Sequence, residues 1–327
     1  MPITQSKFIA AFGLSNPHVQ TMLPSLMPDH QLLKAVRRER LSMPDGDCFD
    51  FDWFAEQSTA PIVIILHGMT GSTNSHYVQS ILKTVQEQGW RPILMYYRGC
   101  SGEPNLVEKS YHVGDTMGFN TLVTELKKRE PKTLIAAVGY SLGANVLLKW
   151  LGETKKTERL LATAIAVSVP FDLKVSANRL REGFSRFYQW WLIGDLHDYV
   201  RRKFQQKAPP FDFGDVTHLK SFWQFDDAIT APLNGFMSAA DYYEKNSCKQ
   251  FLSAIKVPTL IIHSKDDPFL MPEAIPVEEE LAADTILELS ETGGHVGFVM
   301  GNPFELKLNF WLEKRIPQHL KQYLKNT

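Results

Sequence analysis

The sequence predicts an α/β domain with a mostly parallel central sheet flanked by helices. Three observations carry this. Short, continuous apolar runs rich in β-branched residues recur at 61–68, 91–99, 133–141, 163–170, 258–267 and 285–294. Helical stretches of ten or more residues separate the first four of them, at 76–89, 114–131 and 142–153. Between 171 and 255 no buried strand is evident. Continuous rather than alternating apolar runs suit strands covered on both faces. Ten or more intervening residues are what a right-handed crossover between parallel strands requires.

Taken in order, residues 37–54 read as two strands around the turn Pro44-Asp45-Gly46, an antiparallel hairpin at the sheet edge. The run 61–68 is a buried strand stopped by Gly68, and 133–141 is a second that runs directly into the helical pattern ANVLLKWLGE. The segment 171–255 reads as a helical insertion, a cap on one continuous domain spanning 1–327, broken by Pro209-Pro210. Its aromatics, Phe184, Phe187, Tyr188, Trp190, Trp191, Phe222, Trp223 and Phe225, are expected mainly to pack the insertion onto the sheet. Lining an apolar substrate pocket is the competing role, and a lipid-facing surface a further one.

Composition excludes several classes. With 327 residues, 35 Lys+Arg against 36 Asp+Glu, 44% hydrophobic and 22% charged residues, the chain has ordinary globular values. A net charge of -1 offers no general field for nucleic acid or an acidic membrane. Three scattered cysteines, Cys48, Cys100 and Cys248, read as reduced thiols of a cytoplasmic protein. No signal peptide is recognisable at the N-terminus, and the longest apolar run, 160–169, is far short of the ~20 residues of a spanning helix. Membrane contact is therefore expected to be peripheral at most.

The chemistry concentrates at Gly139-Tyr140-Ser141-Leu142-Gly143. GxSxG alone is common. Here it joins an apolar strand to a helix, which forces a sharp turn, holds the Ser141 hydroxyl at the sheet edge and sets it beside a helix N-terminus. A serine hydroxyl needs a base. Among ten histidines His295 is best placed, in ETGGHVGF after the run 285–290, where Gly293 and Gly294 permit a tight loop. His67 belongs to a turn and His263 to a strand end; His18, His30, His76, His112, His197 and His218 lie in loops or helix starts. The base needs an orienting carboxylate, which Asp266 or Asp267 supplies in SKDDP, with Asp267 preferred. Ser, Asp, His is the α/β-hydrolase order. His67-Gly68-Met69-Thr70-Gly71 follows the first buried strand, and its glycines are expected to leave backbone N–H groups unobstructed. Met69 and Leu142 N–H would form the oxyanion hole. No GxxxxGK[ST], GxGxxG or HExxH motif occurs, so neither nucleotide, cofactor nor metal is expected.

Together these residues resemble the α/β-hydrolase fold, and more narrowly its YheT-like (AB-hydrolase-4) family. The resemblance spans nearly the whole chain: SNPHVQTMLPSL, LSMPDGDCFDFDW, HGMTGSTNSHYV, YYRGCSG, GYSLGAN, FDDAITAPLNGFMSAADYY, SKDDPF and GGHVGF. YYRG stands where NFRG is more frequent. The resemblance implies a Ser141–Asp267–His295 triad and carboxylic-ester hydrolysis, as in a family of esterases whose eukaryotic relatives include phospholipases. The expected activity is that of a serine carboxylesterase on short- or medium-chain esters, through an acyl-enzyme. Acyl transfer to an alcohol, a lipid esterase on the same triad, and a non-catalytic binding protein are the alternatives.

Overall fold

The computed structural model describes residues 2–26, 32–56, 58–205, 207–302 and 307–325. Nine strands form the main sheet: β1 (Ile3–Gln5), β2 (Arg37–Ser42), β3 (Cys48–Trp53), β4 (Ile62–Leu66), β5 (Arg91–Met95), β6 (Ile135–Tyr140), β7 (Thr163–Val167), β8 (Thr259–Ser264) and β9 (Thr285–Ser290). They lie in the order β1-β9-β8-β7-β6-β4-β5-β3-β2. Every neighbouring pair from β1 to β5 is parallel, and only β3 runs against its neighbours, β5 and its hairpin partner β2. The α/β class, the parallel interior and the edge hairpin are as the sequence predicts. The short N-terminal strand β1, which pairs with β9, was not legible, because three half-exposed residues carry no apolar run.

Strand alternation divides the core in two. Ile62, Ile64 and Leu66 of β4 face one side, with α3 (Met117–Arg129) and α4 (Leu142–Glu153); Val63 and Ile65 face the other, with α2 (His76–Glu87) and the C-terminal helix Trp311–Tyr323. Both faces of the strand are dry, which is why its sequence reads as an unbroken apolar run. Before β4, α1 (Pro17–Leu26) crosses toward the loop that follows β9. After that loop, β10 (Val299–Asn302) and β11 (Lys307–Phe310) make a small separate ribbon.

Between β7 and β8 the described residues contain only helices and turns: α5 (Leu173–Arg179), α6 (Ser185–Lys203), α7 (Phe222–Phe225), a π turn at Asp226–Thr230, α8 (Ala231–Leu233), α9 (Ala239–Asn246) and a 3-10 segment at Cys248–Ala254. The expected packing of the aromatics holds for some. Tyr188, Phe222 and Phe225 are buried. Phe184, Phe187, Trp190 and Trp191 are 50%, 38%, 66% and 59% exposed, which corrects the expectation of a buried contact for them. The reason is helical phase: Phe187, Trp190 and Trp191 share the face of α6 opposite to Tyr188, Leu196 and Tyr199.

Candidate active site

Parallel strands end on one edge, so loops far apart in sequence meet there. β4 leads to Met69, β6 to Ser141, β8 to Asp267 and β9 to His295. Ser141 has φ 51° and ψ -114°, a left-handed backbone at a residue with a side chain. Such strain persists only when the surroundings over-determine it. Here Ser141 N–H is held by Val167 O at 2.9 Å, and Ser141 O accepts from Ala144 N at 3.0 Å. Gly139 and Gly143 make the turn possible: a Cβ on Gly139 would come within 2.5 Å of Gly143 O, and one on Gly143 would collide with Leu66 O and His67 O.

His295 Nε2 lies 2.9 Å from Ser141 Oγ, and its Nδ1 lies 2.8 and 3.1 Å from the two oxygens of Asp267. A carboxylate can only accept, so Nδ1 carries the proton and Nε2 presents a lone pair to the serine hydroxyl. Asp267 is buried and also accepts Phe269 N–H at 2.8 Å. The Phe269 ring stacks on the imidazole with centroids 4.0 Å apart. Asp266 points elsewhere. Its Oδ1 accepts Gly294 N–H at 3.0 Å, its Oδ2 has no partner, and burial pushes its carboxyl above the ordinary carboxylate range.

β9 lies three strands from β6, roughly 14 Å across the sheet, so the loop after β9 must reach back. Gly293 (φ 150°) and Gly294 (φ 60°) turn it. Ser264 Oγ donates to Gly294 O at 2.6 Å, His295 N–H donates to Thr21 Oγ1 at 2.9 Å, and Val296 N–H donates to Ser168 Oγ at 2.9 Å. Gln20 Oε1 accepts Val299 N–H at 2.6 Å, and its amide donates to Leu14 O and Val299 O. Gln20, Thr21, Ser168 and Phe269 were missed as site residues. For the first two the motif SNPHVQTMLPSL was the available signal, without a role attached.

Met69 and Leu142 line the same cavity as Ser141 and His295, and among the described residues neither N–H is spent on another hydrogen bond. The N–H groups of the two glycines themselves are engaged. Gly68 N–H donates to Tyr77 Oη at 2.8 Å, and Gly71 N–H to Gly68 O at 3.1 Å. Both bonds brace the turn that presents Met69. Among the described residues no other histidine is hydrogen-bonded to Ser141. His67 and His263 are fully buried, and desolvation pushes each down to about 4, so neither adds a cation beside the site. His30 lies outside the described residues. No group of three or more His, Cys, Asp or Glu that could hold a metal converges among the described residues, and none of their helices is long and apolar enough to cross a membrane.

The cavity beside Ser141 measures about 100 Å³. Leu173, Ala177, Leu180, Leu192 and Phe222 form its apolar wall. A family model described as the alpha/beta hydrolase fold matches residues 61–301. "Putative esterase YheT" of Escherichia coli (strain K12) is 37% identical over 326 residues, covering 98% of this chain and 95% of that protein. "Phospholipase ABHD3" of Bos taurus is 27% identical, covering 86% and 71%. Among solved structures, the Pyrococcus furiosus esterase Pf2001 superposes with a TM-score of 0.57 over 99% of this chain and 100% of that one, at 18% identity, a likeness of fold. With the parallel sheet, the strained serine turn and these matches together, the chain belongs to the α/β-hydrolase fold family, in its YheT-like group of esterase-type hydrolases.

Proposed function

We propose that this chain is a serine carboxylesterase acting on short- or medium-chain carboxylic esters through an acyl-enzyme. The observation that carries the reading is the hydrogen-bonded relay Ser141 Oγ–His295 Nε2 with Asp267 on the other ring nitrogen. Ser141 attacks the ester carbonyl while His295 takes its proton. Asp267 holds the tautomer and stabilises the imidazolium. Met69 and Leu142 N–H bind the tetrahedral oxyanion, the latter at the N-terminus of α4. His295 then protonates the departing alcohol, and water repeats the sequence on the acyl-enzyme. No cofactor enters. A cavity of about 100 Å³ with one apolar wall, set against the roughly 150 Å³ that holds one benzene in an engineered protein core, favours a compact substrate group. Residues 171–255 act as the cap of a single domain.

Hydrolysis of p-nitrophenyl butyrate and octanoate tests this, with Ser141→Ala as control. Turnover that survives in Ser141→Ala overturns it, as does failure of the folded wild-type chain to label with a fluorophosphonate.

The exposed Phe184, Phe187, Trp190 and Trp191 favour a second feature, peripheral contact with lipid. Co-sedimentation with phosphatidylcholine vesicles tests it. Binding that Trp190→Ala/Trp191→Ala does not weaken removes it. The unpaired cysteines suit a reducing cytoplasm.

A further inference from the structure

Six carboxylates are buried among the described residues: Asp47, Asp50, Asp52, Asp226, Asp267 and Glu288. Five have a basic partner: Arg98 for Asp47, Arg40 for Asp50, Arg38 for Asp52, His295 for Asp267 and Arg315 for Glu288. Asp226 has only hydroxyls, with Thr230 Oγ1 donating at 2.6 Å and Tyr243 Oη at 2.7 Å. A buried charge without a counter-charge is costly, and proteins pair such groups. Burial pushes its carboxyl up to about 6 against the lowering pull of the Thr230 and Tyr243 hydrogen bonds, and no cation among the described residues adds to that pull.

Asp226 also lines the cavity that contains Ser141 and His295. It opens the π turn Asp226–Thr230, a distortion that in helices often marks a functional position. Phe222, Tyr242 and Tyr243 line the same cavity, and aromatic rings are the side chains that attract cations. A second polar group independently points to a ligand in this cavity: Ser176 is 7% exposed, lines it, and its Oγ has no hydrogen-bond partner among the described residues.

We propose that Asp226, walled by Tyr242 and Tyr243, is a subsite for a positively charged ammonium group carried by the ester substrate. The substrate supplies the counter-ion that the fold withholds, and binds with its ester at Ser141. This rests on the esterase reading and names a substrate class for it. Asp226 is a specificity residue and takes no part in bond making.

Two pairs of matched esters test the subsite, one for each side of the ester bond: butyrylcholine against 3,3-dimethylbutyl butyrate, and p-nitrophenyl 6-aminohexanoate against p-nitrophenyl heptanoate. In at least one pair the wild-type chain favours the charged member in kcat/KM by about tenfold or more, mainly through KM. In Asp226→Asn that ratio collapses toward one. A wild-type chain that cleaves the neutral members and shows no preference for a charged one overturns the subsite and leaves the esterase reading standing. So does a preference that survives Asp226→Asn, or a fall in both members of a pair by the same factor, as expected if Asp226 only ties Tyr243 to the π turn. A chain that cleaves no member of either pair overturns both readings. Should Asp226→Asn fail to fold, competitive inhibition of the wild type decides. Tetramethylammonium must inhibit at least about tenfold better than its neutral counterpart neopentyl alcohol, and equal inhibition overturns the subsite.

Discussion

Thr21 Oγ1 accepts the backbone N–H of His295 at 2.9 Å, joining an N-terminal helix to a residue 274 positions away. The Thr21 hydroxyl in turn donates to Pro17 O at 2.7 Å, so α1 grips the histidine loop through a two-bond relay. The imidazole sits on a loop that turns on two glycines with positive φ, and its aim depends on such external ties.

Thr21→Val keeps the side-chain volume and removes the acceptor. On the proposed mechanism kcat falls by about tenfold with little change in KM, because the loss is of positioning rather than of binding. Steady-state kinetics on p-nitrophenyl butyrate measures this. A rise in KM at constant kcat would place Thr21 in binding instead.

The two adjacent aspartates should separate cleanly. Asp267→Asn replaces the acceptor of His295 Nδ1–H and is expected to lower kcat by about 10⁴-fold. Asp266→Asn alters the acceptor of Gly294 N–H and leaves that of His295 Nδ1–H in place, so it should cost about tenfold or less. Comparable losses in the two variants would contradict the assignment of Asp267.

Two glycine-to-alanine changes should differ in sign. At Gly143 the new methyl meets the carbonyls of Leu66 and His67, which belong to the rigid sheet edge and cannot retreat. A loss of about 1–3 kcal/mol is expected, together with loss of fluorophosphonate labelling. At Gly194, exposed within α6, an added methyl would have nothing within 4 Å. Alanine there should stabilise by about 0.4–1 kcal/mol. Urea unfolding of both variants provides the comparison, and a destabilising Gly194→Ala would be the discordant result.

Acid should destabilise the fold. Desolvation pushes His67, His76, His112, His263 and His319 each down to about 4 from 6.5. Between those values the unfolded chain binds these protons and the folded chain does not, so stability is lost as pH falls from 6.5 toward 4. Each proton contributes about 1.4 kcal/mol per pH unit. Asp226 and Asp266 act in the opposite sense: their raised carboxyls hold protons in the folded state that the unfolded chain releases. Five bases outweigh two acids. The urea midpoint followed by circular dichroism should therefore be lower at pH 5 than at pH 7.5, and an unchanged or higher midpoint at pH 5 would refute the balance.

Residue order alone was enough for the α/β class, the parallel interior, the edge hairpin and the loops carrying Ser141, Asp266, Asp267 and His295. Strands buried on both faces must be written as unbroken apolar runs, and a strand-to-helix turn as tight as that at Ser141 leaves room only for glycine at Gly139 and Gly143. The rest emerged only on folding. Asp267 rather than Asp266 turned toward the imidazole, because Gly294 N–H claims the latter. The Gly68 and Gly71 N–H groups were spent on bracing the turn, Trp190 and Trp191 stayed in solvent, and Thr21 and Gln20 were recruited from α1. These are outcomes of side-chain direction and of contacts between segments hundreds of residues apart. Local patterning is blind to both, since it records which residues are apolar and where the chain can turn, but not which neighbour each polar group will find.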